Sequence, residues 1–318
     1  MFLFATTFFS ENVKAQTSDT SAELKTLHSI YGFRFEKSSG QLQTFPEKNA
    51  RLKQLLEIFY LRWKEIPVAF SPASNTYQQS LLKNLAELSK EKTPTHAVIY
   101  YQICTYLFFA EYHSSLGEPW SALKYAQKAY PLVVTSMDKN YTQPEFIFLK
   151  GLYLYYIEYY KQKNLFYRLA LSPLRKGNKE DGLKILKRCA DKKSMTQTEA
   201  KIYLAHILLH LEKKSDEALP YSKSLAESYP KNIKFAELYA ENLIACKKYT
   251  DATTLVAQLE EQHSAYYSIP GHVLRGLIEE EYFHNAPKAK EAYLLAVKQE
   301  LKPVEYFQKI ARLRLKNW

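Results

Sequence analysis

The sequence contains only three cysteines among its 318 residues, and they lie far apart at Cys104, Cys189 and Cys246. An odd number of widely spaced cysteines excludes a disulfide framework, and their spacing matches no structural zinc motif. Each cysteine also falls in a segment with helical periodicity. We therefore interpret all three as small buried hydrophobic side chains.

The motifs that identify most enzyme active sites are missing too. There is no glycine-rich phosphate loop, no Gly-x-Ser-x-Gly elbow and no cysteine–histidine pair with nucleophile spacing. His206 and His210 have i, i+4 spacing but lack the carboxylate that a zinc protease places between them, so we predict no metal there. The sequence predicts a non-enzymatic protein with no catalytic, cofactor-binding or metal-binding residues. A hydrolase with a site assembled from scattered residues is the enzymatic alternative.

Glycine is scarce, with 8 residues against 26 tyrosines, and alternating β-branched runs are few. The chain is instead dense in alanine, leucine, lysine and glutamate, which favour helices. Its hydrophobic content of 46% is enough for a sizeable buried core. These features together predict an all-α protein.

Residues 199–230 read as two short amphipathic helices joined by a polar turn. The first has an apolar stripe at helical spacing, and the second ends at Pro230 because proline cannot continue a helix. The residues of the first stripe are Ile202, Ala205, Leu208 and Leu209. Helices this short need stacked neighbours to bury their apolar faces.

The spacing of this unit recurs along the chain. A small residue begins each second helix, and these anchors are separated by 60, 36, 34 and 37 residues. Three of the four spacings lie close to the period of about 34 residues of a helix-turn-helix repeat. The anchors are Ala122, Gly182, Ala218, Ala252 and Ala289. Small or apolar residues stand seven positions after them at Ala129, Cys189, Leu225, Leu259 and Ala296.

Three segments, 106–130, 202–230 and 239–259, resemble the tetratricopeptide repeat family. The resemblance implies a right-handed α-α superhelix, that is, a TPR-like solenoid. It divides the chain into N-terminal helical pairs with degenerate repeats (16–95), TPR-like repeats (96–303) and a C-terminal capping helix (304–318).

The N-terminus combines a short apolar run with small residues at Val13 and Ala15, the two positions that a signal peptidase reads. Residues 1–15 are therefore predicted to be a signal peptide, in a pattern that resembles exported proteins of Bacteroidetes-like bacteria. We expect the protein to be exported to the periplasm or cell envelope. An apolar N-terminus that is not cleaved is the alternative. The run is too short to span a bilayer, so no transmembrane segment is predicted.

A net charge of +11 is typical of proteins that bind nucleic acid, so nucleic acid is one candidate partner. The lysines are scattered through the predicted helices, however, which is typical of a solvated face. We therefore predict no nucleic-acid partner. If the chain is exported, its positive charge would instead favour binding to an anionic surface, a glycan or an acidic patch on another protein.

The resemblance implies a protein–protein interaction scaffold without cofactors that binds a peptide or partner protein on its concave face. Seven partner-binding residues follow from the repeat phase: Tyr167, Arg175, Tyr203, His210, Lys234, Glu237 and Glu241. Glu237 and Glu241 stand where some family members use lysine and asparagine to bind a C-terminal carboxylate. A partner of that kind is therefore not expected.

The alternative function is glycan binding or adhesion through an aromatic groove. Rings surround the predicted helix 143–164, so that helix is either packed on several sides or faces a ligand. Tyr155 and Tyr159 are candidate partner-binding residues of this groove. The groove requires that at least two of Tyr155, Tyr156, Tyr159 and Tyr160 are solvent-accessible.

Overall fold

A computed structural model describes residues 21–65, 74–163, 165–261, 265–298 and 305–318. Within these ranges the chain forms sixteen α-helices, a 3-10 turn and a π-helical segment, and no β-strand. The prediction of an all-α fold is confirmed. The predicted signal peptide, 1–15, lies outside the described residues.

The helices follow one another with short connections, and most pack against their neighbours in sequence. They are α1 Ala22–Tyr31, α2 Phe35–Gln43, α3 Ala50–Glu65, α4 Ser74–Leu88, α5 His96–Ser115, α6 Pro119–Asp138, α7 Pro144–Lys163, α8 Leu165–Ala170, α9 Lys179–Asp191, α10 Gln197–His206, α11 Ser215–Ser228, α12 Ile233–Ala245, α13 Tyr249–Glu260, α14 Ala265–Glu281, α15 Ala286–Val297 and α16 Glu305–Leu315. No helix in the described part of the chain combines the length and apolar character needed to span a bilayer.

The chain divides into two compact units. The described residues of the first unit lie within Met1–Leu27, Ser38–Phe59 and Gln78–Leu204, and its main helical pairs are α5 with α6 and α7 with α9. Helix α5 begins where the Thr95 hydroxyl accepts a hydrogen bond from the Val98 amide at 3.3 Å. It ends at Gly117, whose φ of +76° suits glycine, and Pro119 then starts α6.

In the first unit, helix α9 approaches α7 closely at Gly182. A β-carbon at this position would lie 2.6 Å from the Tyr155 amide nitrogen and 2.8 Å from the Gly151 carbonyl oxygen. Asn178 fixes the start of α9, because its side-chain oxygen accepts a hydrogen bond from the Asp181 amide at 3.0 Å. Glycine is therefore required sterically at the contact between the two helices.

The described residues of the second unit lie within His28–Lys37, Tyr60–Tyr77 and Ala205–Trp318. Its helices α11 to α16 pack in sequence order around one core that contains Ala240, Ala252, Ala289 and Phe307. A buried hydrogen bond of 3.0 Å from the Ser222 hydroxyl to the Asn242 side-chain oxygen joins α11 to α12. Such bonds satisfy the polar groups that this core encloses.

The small residues predicted to begin each second helix all lie in the interior. Ala122, Gly182, Ala218, Ala252 and Ala289 are buried. So are the residues seven positions later, Ala129, Cys189, Leu225, Leu259 and Ala296. The interpretation of Cys104 and Cys189 as buried hydrophobes is confirmed, whereas Cys246 is half-buried.

The steric requirement at Gly182 predicts that Gly182→Ala is destabilising. The added methyl group meets backbone atoms of α7, which cannot rotate away, so we expect a loss of about 1–3 kcal/mol in the free energy of unfolding. Urea denaturation followed by circular dichroism measures this loss.

The matched control is Gly40→Ala in the exposed part of α2, where nothing lies within 4 Å of the added carbon. Helix propensity alone should make this variant about 0.5–1 kcal/mol more stable. Equal stabilisation by both substitutions would contradict the close contact between α7 and α9.

Candidate functional site

The tyrosines of α7 form packing contacts rather than an exposed groove. Tyr155, Tyr156 and Tyr160 are all buried, and only Tyr159 is half-buried, so fewer than two of the four rings are clearly accessible. Tyr155 meets Tyr156 at 5.2 Å between ring centroids, in the edge-to-face arrangement favoured in protein cores. The condition for an aromatic groove is not met.

Two candidate partner-binding residues are corrected by this burial. Tyr155 is 0% exposed and Tyr203 is 2% exposed, so neither side chain is available to a ligand. The physical reason is that rings pack on several sides of α7: Tyr156 contacts Tyr203 at a centroid distance of 6.2 Å and Tyr160 at the same distance. The repeat phase predicted an exposed position at Tyr203, and the aromatic-groove interpretation predicted one at Tyr155, but neighbouring aromatic residues cover both.

The other candidates in the first unit are more accessible but already engaged. The Lys179 ammonium lies 5.8 Å from the half-buried Tyr159 ring, and Tyr167 contacts Tyr160. Arg175 pairs with Asp138, and its backbone amide donates to the Tyr130 hydroxyl at 3.0 Å. These residues do not converge on one site.

The remaining four candidates converge in the second unit. His210 follows α10, whereas Lys234, Glu237 and Glu241 share one face of α12 at i, i+3 and i+7 spacing. Two further residues join them: His206 on α10 and Tyr306 on α16. We call these six residues the His–Glu cluster.

Local sequence fixes the start of α12. The side-chain oxygen of Asn232 accepts hydrogen bonds from the Lys234 amide at 3.0 Å and the Phe235 amide at 3.3 Å. Its side-chain nitrogen donates to the Tyr31 carbonyl at 2.7 Å, which also satisfies this buried amide. The acidic face of α12 therefore has a defined orientation.

The histidine side of the cluster lies on irregular backbone. Ile207–Leu211 is π-helical, and the Glu212 amide donates to the Ile207 carbonyl at 2.9 Å. Lys213 then adopts a positive φ of +57°, which ends the helix. Single-turn π segments frequently mark functional sites, and this one carries His210.

The carboxylates of Glu237 and Glu241 have different partners. The Lys234 ammonium lies 2.5 Å from both oxygens of Glu237. The Tyr306 hydroxyl donates to Glu241 Oε1 at 2.8 Å, while His210 Nε2 stands 3.5 Å from Glu241 Oε2. The second distance is longer than a normal hydrogen bond. Glu237 thus has a cationic partner in direct contact, whereas Glu241 has a phenol and an imidazole.

The histidines are surrounded by protein and by each other. Burial, with the neighbouring His210 ring as a smaller cause, lowers the pKa of His206 to about 3. Burial and the Lys213 ammonium lower the pKa of His210 to about 4. The centroids of the His206 and His210 rings lie 4.6 Å apart. The His210 ring also contacts the Tyr306 ring, at a centroid distance of 5.7 Å. Both imidazoles are therefore neutral at neutral pH.

The pKa values of the two glutamates, Glu237 and Glu241, are raised, whereas those of the histidines are lowered. Burial raises the pKa of Glu241 to about 7 even though the Tyr306 hydroxyl and the ammonium groups of Lys234 and Lys213 oppose the shift. Burial also raises the pKa of Glu237, against the opposing charge of Lys234. Perturbed pKa values of this size are typical of functional sites.

The six residues of the His–Glu cluster include no serine, threonine or cysteine. Across the described ranges, no three His, Cys, Asp or Glu side chains form a group that could hold a metal ion. Tyr306 and His206 were not predicted as site residues. Tyr306 lies 65 residues from Glu241 in sequence, so no local spacing could have identified it.

No family model, no curated protein and no solved structure matches the chain. The resemblance to tetratricopeptide repeats therefore stays a prediction.

The electrostatics of the cluster predict the pH dependence of stability. The folded-state pKa of Glu241 is raised, so its contribution to stability is present below pH 4.5 and is lost as pH rises toward 7. The folded-state pKa values of His206 and His210 are lowered, so their contribution is present above pH 6.5 and is lost as pH falls. Between pH 4.5 and pH 6.5 the slope from Glu241 therefore offsets part of the opposite slope from the two histidines.

Glu241→Gln removes one of the offsetting groups. Relative to wild type, the free energy of unfolding of this variant should increase by about 1 kcal/mol per pH unit between about pH 5 and pH 6.5. Denaturant unfolding across that range measures the difference. The exposed Glu227→Gln serves as the control, and parallel curves for wild type and Glu241→Gln are the contradicting outcome.

Proposed function

We propose that this protein is a non-enzymatic scaffold of the bacterial cell envelope that binds a peptide or partner protein. In this proposal the helical pairs wind as a right-handed, TPR-like superhelix, and the partner lies along their first helices. The succession of pairs in sequence order and the buried small-residue contacts support it.

The observation that carries the proposal is the His–Glu cluster itself. Its residues stand on α10 and α12, the first helices of two successive pairs, and on the terminal α16. Desolvating two carboxylates and two imidazoles opposes folding, so a cluster maintained for stability alone would be costly. Its partial exposure suits a ligand that completes the interactions.

Export supports the same proposal from the sequence. Cleavage after Ala15 removes the predicted signal peptide and leaves Gln16 first. An envelope location gives the protein access to peptide or protein partners outside the cytoplasm. The buried tyrosines of α7 provide no comparable support for glycan binding, so the peptide or protein partner is the function we propose.

Site-specific photo-cross-linking in the native cells tests the proposal. A photoreactive phenylalanine analogue replaces Tyr306, which is 45% exposed and belongs to the cluster. The expected result is a discrete cross-linked adduct with one partner. The adduct should weaken strongly when Glu241→Gln is added, because that change removes the charge of a carboxylate of the cluster.

The matched control replaces Tyr282, which is 46% exposed and lies outside the cluster. A partner that binds through the cluster reacts at position 306 and not at 282. Equal adducts at both positions, or no adduct at either, would contradict the proposed binding site.

A further inference from the structure

Glu241 lacks the cationic partner in direct contact that Glu237 has. Lys234 lies 2.5 Å from both oxygens of Glu237 and is therefore committed to that carboxylate. The contacts of Glu241 are the Tyr306 hydroxyl at 2.8 Å and the His210 ring at 3.5 Å. Neither group is positively charged at neutral pH.

We propose that the His–Glu cluster binds a cationic side chain of the partner peptide, a lysine ammonium or an arginine guanidinium, with Glu241 as its counter-ion. This inference rests on the proposed function, because the peptide is the partner proposed above. It adds the chemical group that the site recognises.

The geometry suits a cation. The side chain of Glu241 is 16% exposed, so part of it faces solvent, and its Oε2 lies 3.5 Å from His210 Nε2, longer than a normal hydrogen bond. The rings of His210 and Tyr306 both contact Glu241, and their centroids lie 5.7 Å from each other in an edge arrangement. Aromatic faces beside a carboxylate attract ammonium and guanidinium groups through cation–π interactions.

The remaining charges around Glu241 do not replace the missing partner. His210 faces it from the end of α10 as a neutral ring in contact with His206, and Glu237 faces it from its own helix with Lys234 already bound. Lys213 lies beyond the π segment with an exposed side chain, so its charge acts on Glu241 at a distance and partly through solvent. When Glu241 is ionised, the cluster carries one negative charge without a cation in direct contact.

The net charge of the whole chain does not favour a cationic peptide. A net charge of +11 repels cationic peptides at long range. Long-range attraction by the whole chain therefore does not favour lysine or arginine side chains, and their binding would depend on a local acidic site.

Binding should also release a proton. Burial raises the pKa of Glu241 to about 7, so about half of the molecules carry a proton there at neutral pH. A bound cation favours the ionised form and displaces that proton. Affinity should therefore increase about tenfold from about pH 6 to pH 8.

The experiment selects binders from a random peptide library displayed on phage, using immobilised wild-type protein at about pH 8. The best peptide is synthesised, together with a version in which norleucine replaces each lysine and citrulline each arginine. Calorimetry then measures both peptides against wild type, Glu241→Gln and the control Glu227→Gln. Circular dichroism checks that each variant is folded.

The expected result is at least tenfold loss of affinity on neutralising one cationic residue of the peptide or on Glu241→Gln, with no change for Glu227→Gln. Tyr306→Phe keeps the ring but removes the hydroxyl that donates to Glu241. It should move the midpoint of the pH dependence upward, a shift that loss of packing alone does not produce.

The outcomes separate the two proposals. Peptides that bind wild type equally well without their cationic residues overturn the cation site and leave the peptide-binding scaffold standing. A library that yields no binder to wild type overturns both. A binder with a cation requirement that Glu241→Gln leaves unchanged overturns the assignment to Glu241.

Discussion

The close approach of paired helices at small side chains is the constraint on which the structure depends. At Gly182 even a methyl group would meet the backbone of α7, and alanines occupy the equivalent positions of the other second helices. This packing also sets the site. Ala240 and Phe307 are buried in one core, so their neighbours in sequence, Glu241 and Tyr306, are brought within hydrogen-bond distance.

The all-α fold and its helical pairs could be predicted because the residues that specify them recur at regular intervals in the sequence. Apolar spacing identifies helices, and small residues at intervals near 34 identify where helices pack together, as the burial of Ala218 and Ala252 confirms. The winding of the superhelix depends on small rotations between successive pairs, which no residue spacing encodes. It therefore remains part of the proposal.

The site was predicted less completely, and the reasons differ by residue. Repeat phase identified His210 and Glu241 because both follow the helical period. The same phase failed at Tyr203, since burial there depends on rings from another helix. The aromatic-groove interpretation failed at Tyr155, whose ring packs against Tyr156 in the interior. The π turn at Ile207–Leu211 could not be predicted either, because its apolar sequence fits an ordinary helix equally well.

The central claim is that Glu241 is a desolvated carboxylate without a cation in direct contact, held ready for a partner. Carbon-13 NMR of the glutamate side-chain carboxyl groups, with Glu241 assigned from the Glu241→Gln spectrum, measures this most directly. The account predicts that Glu241 titrates well above the ordinary glutamate pKa of 4.5, at about 7. A titration at or below the ordinary value would contradict it.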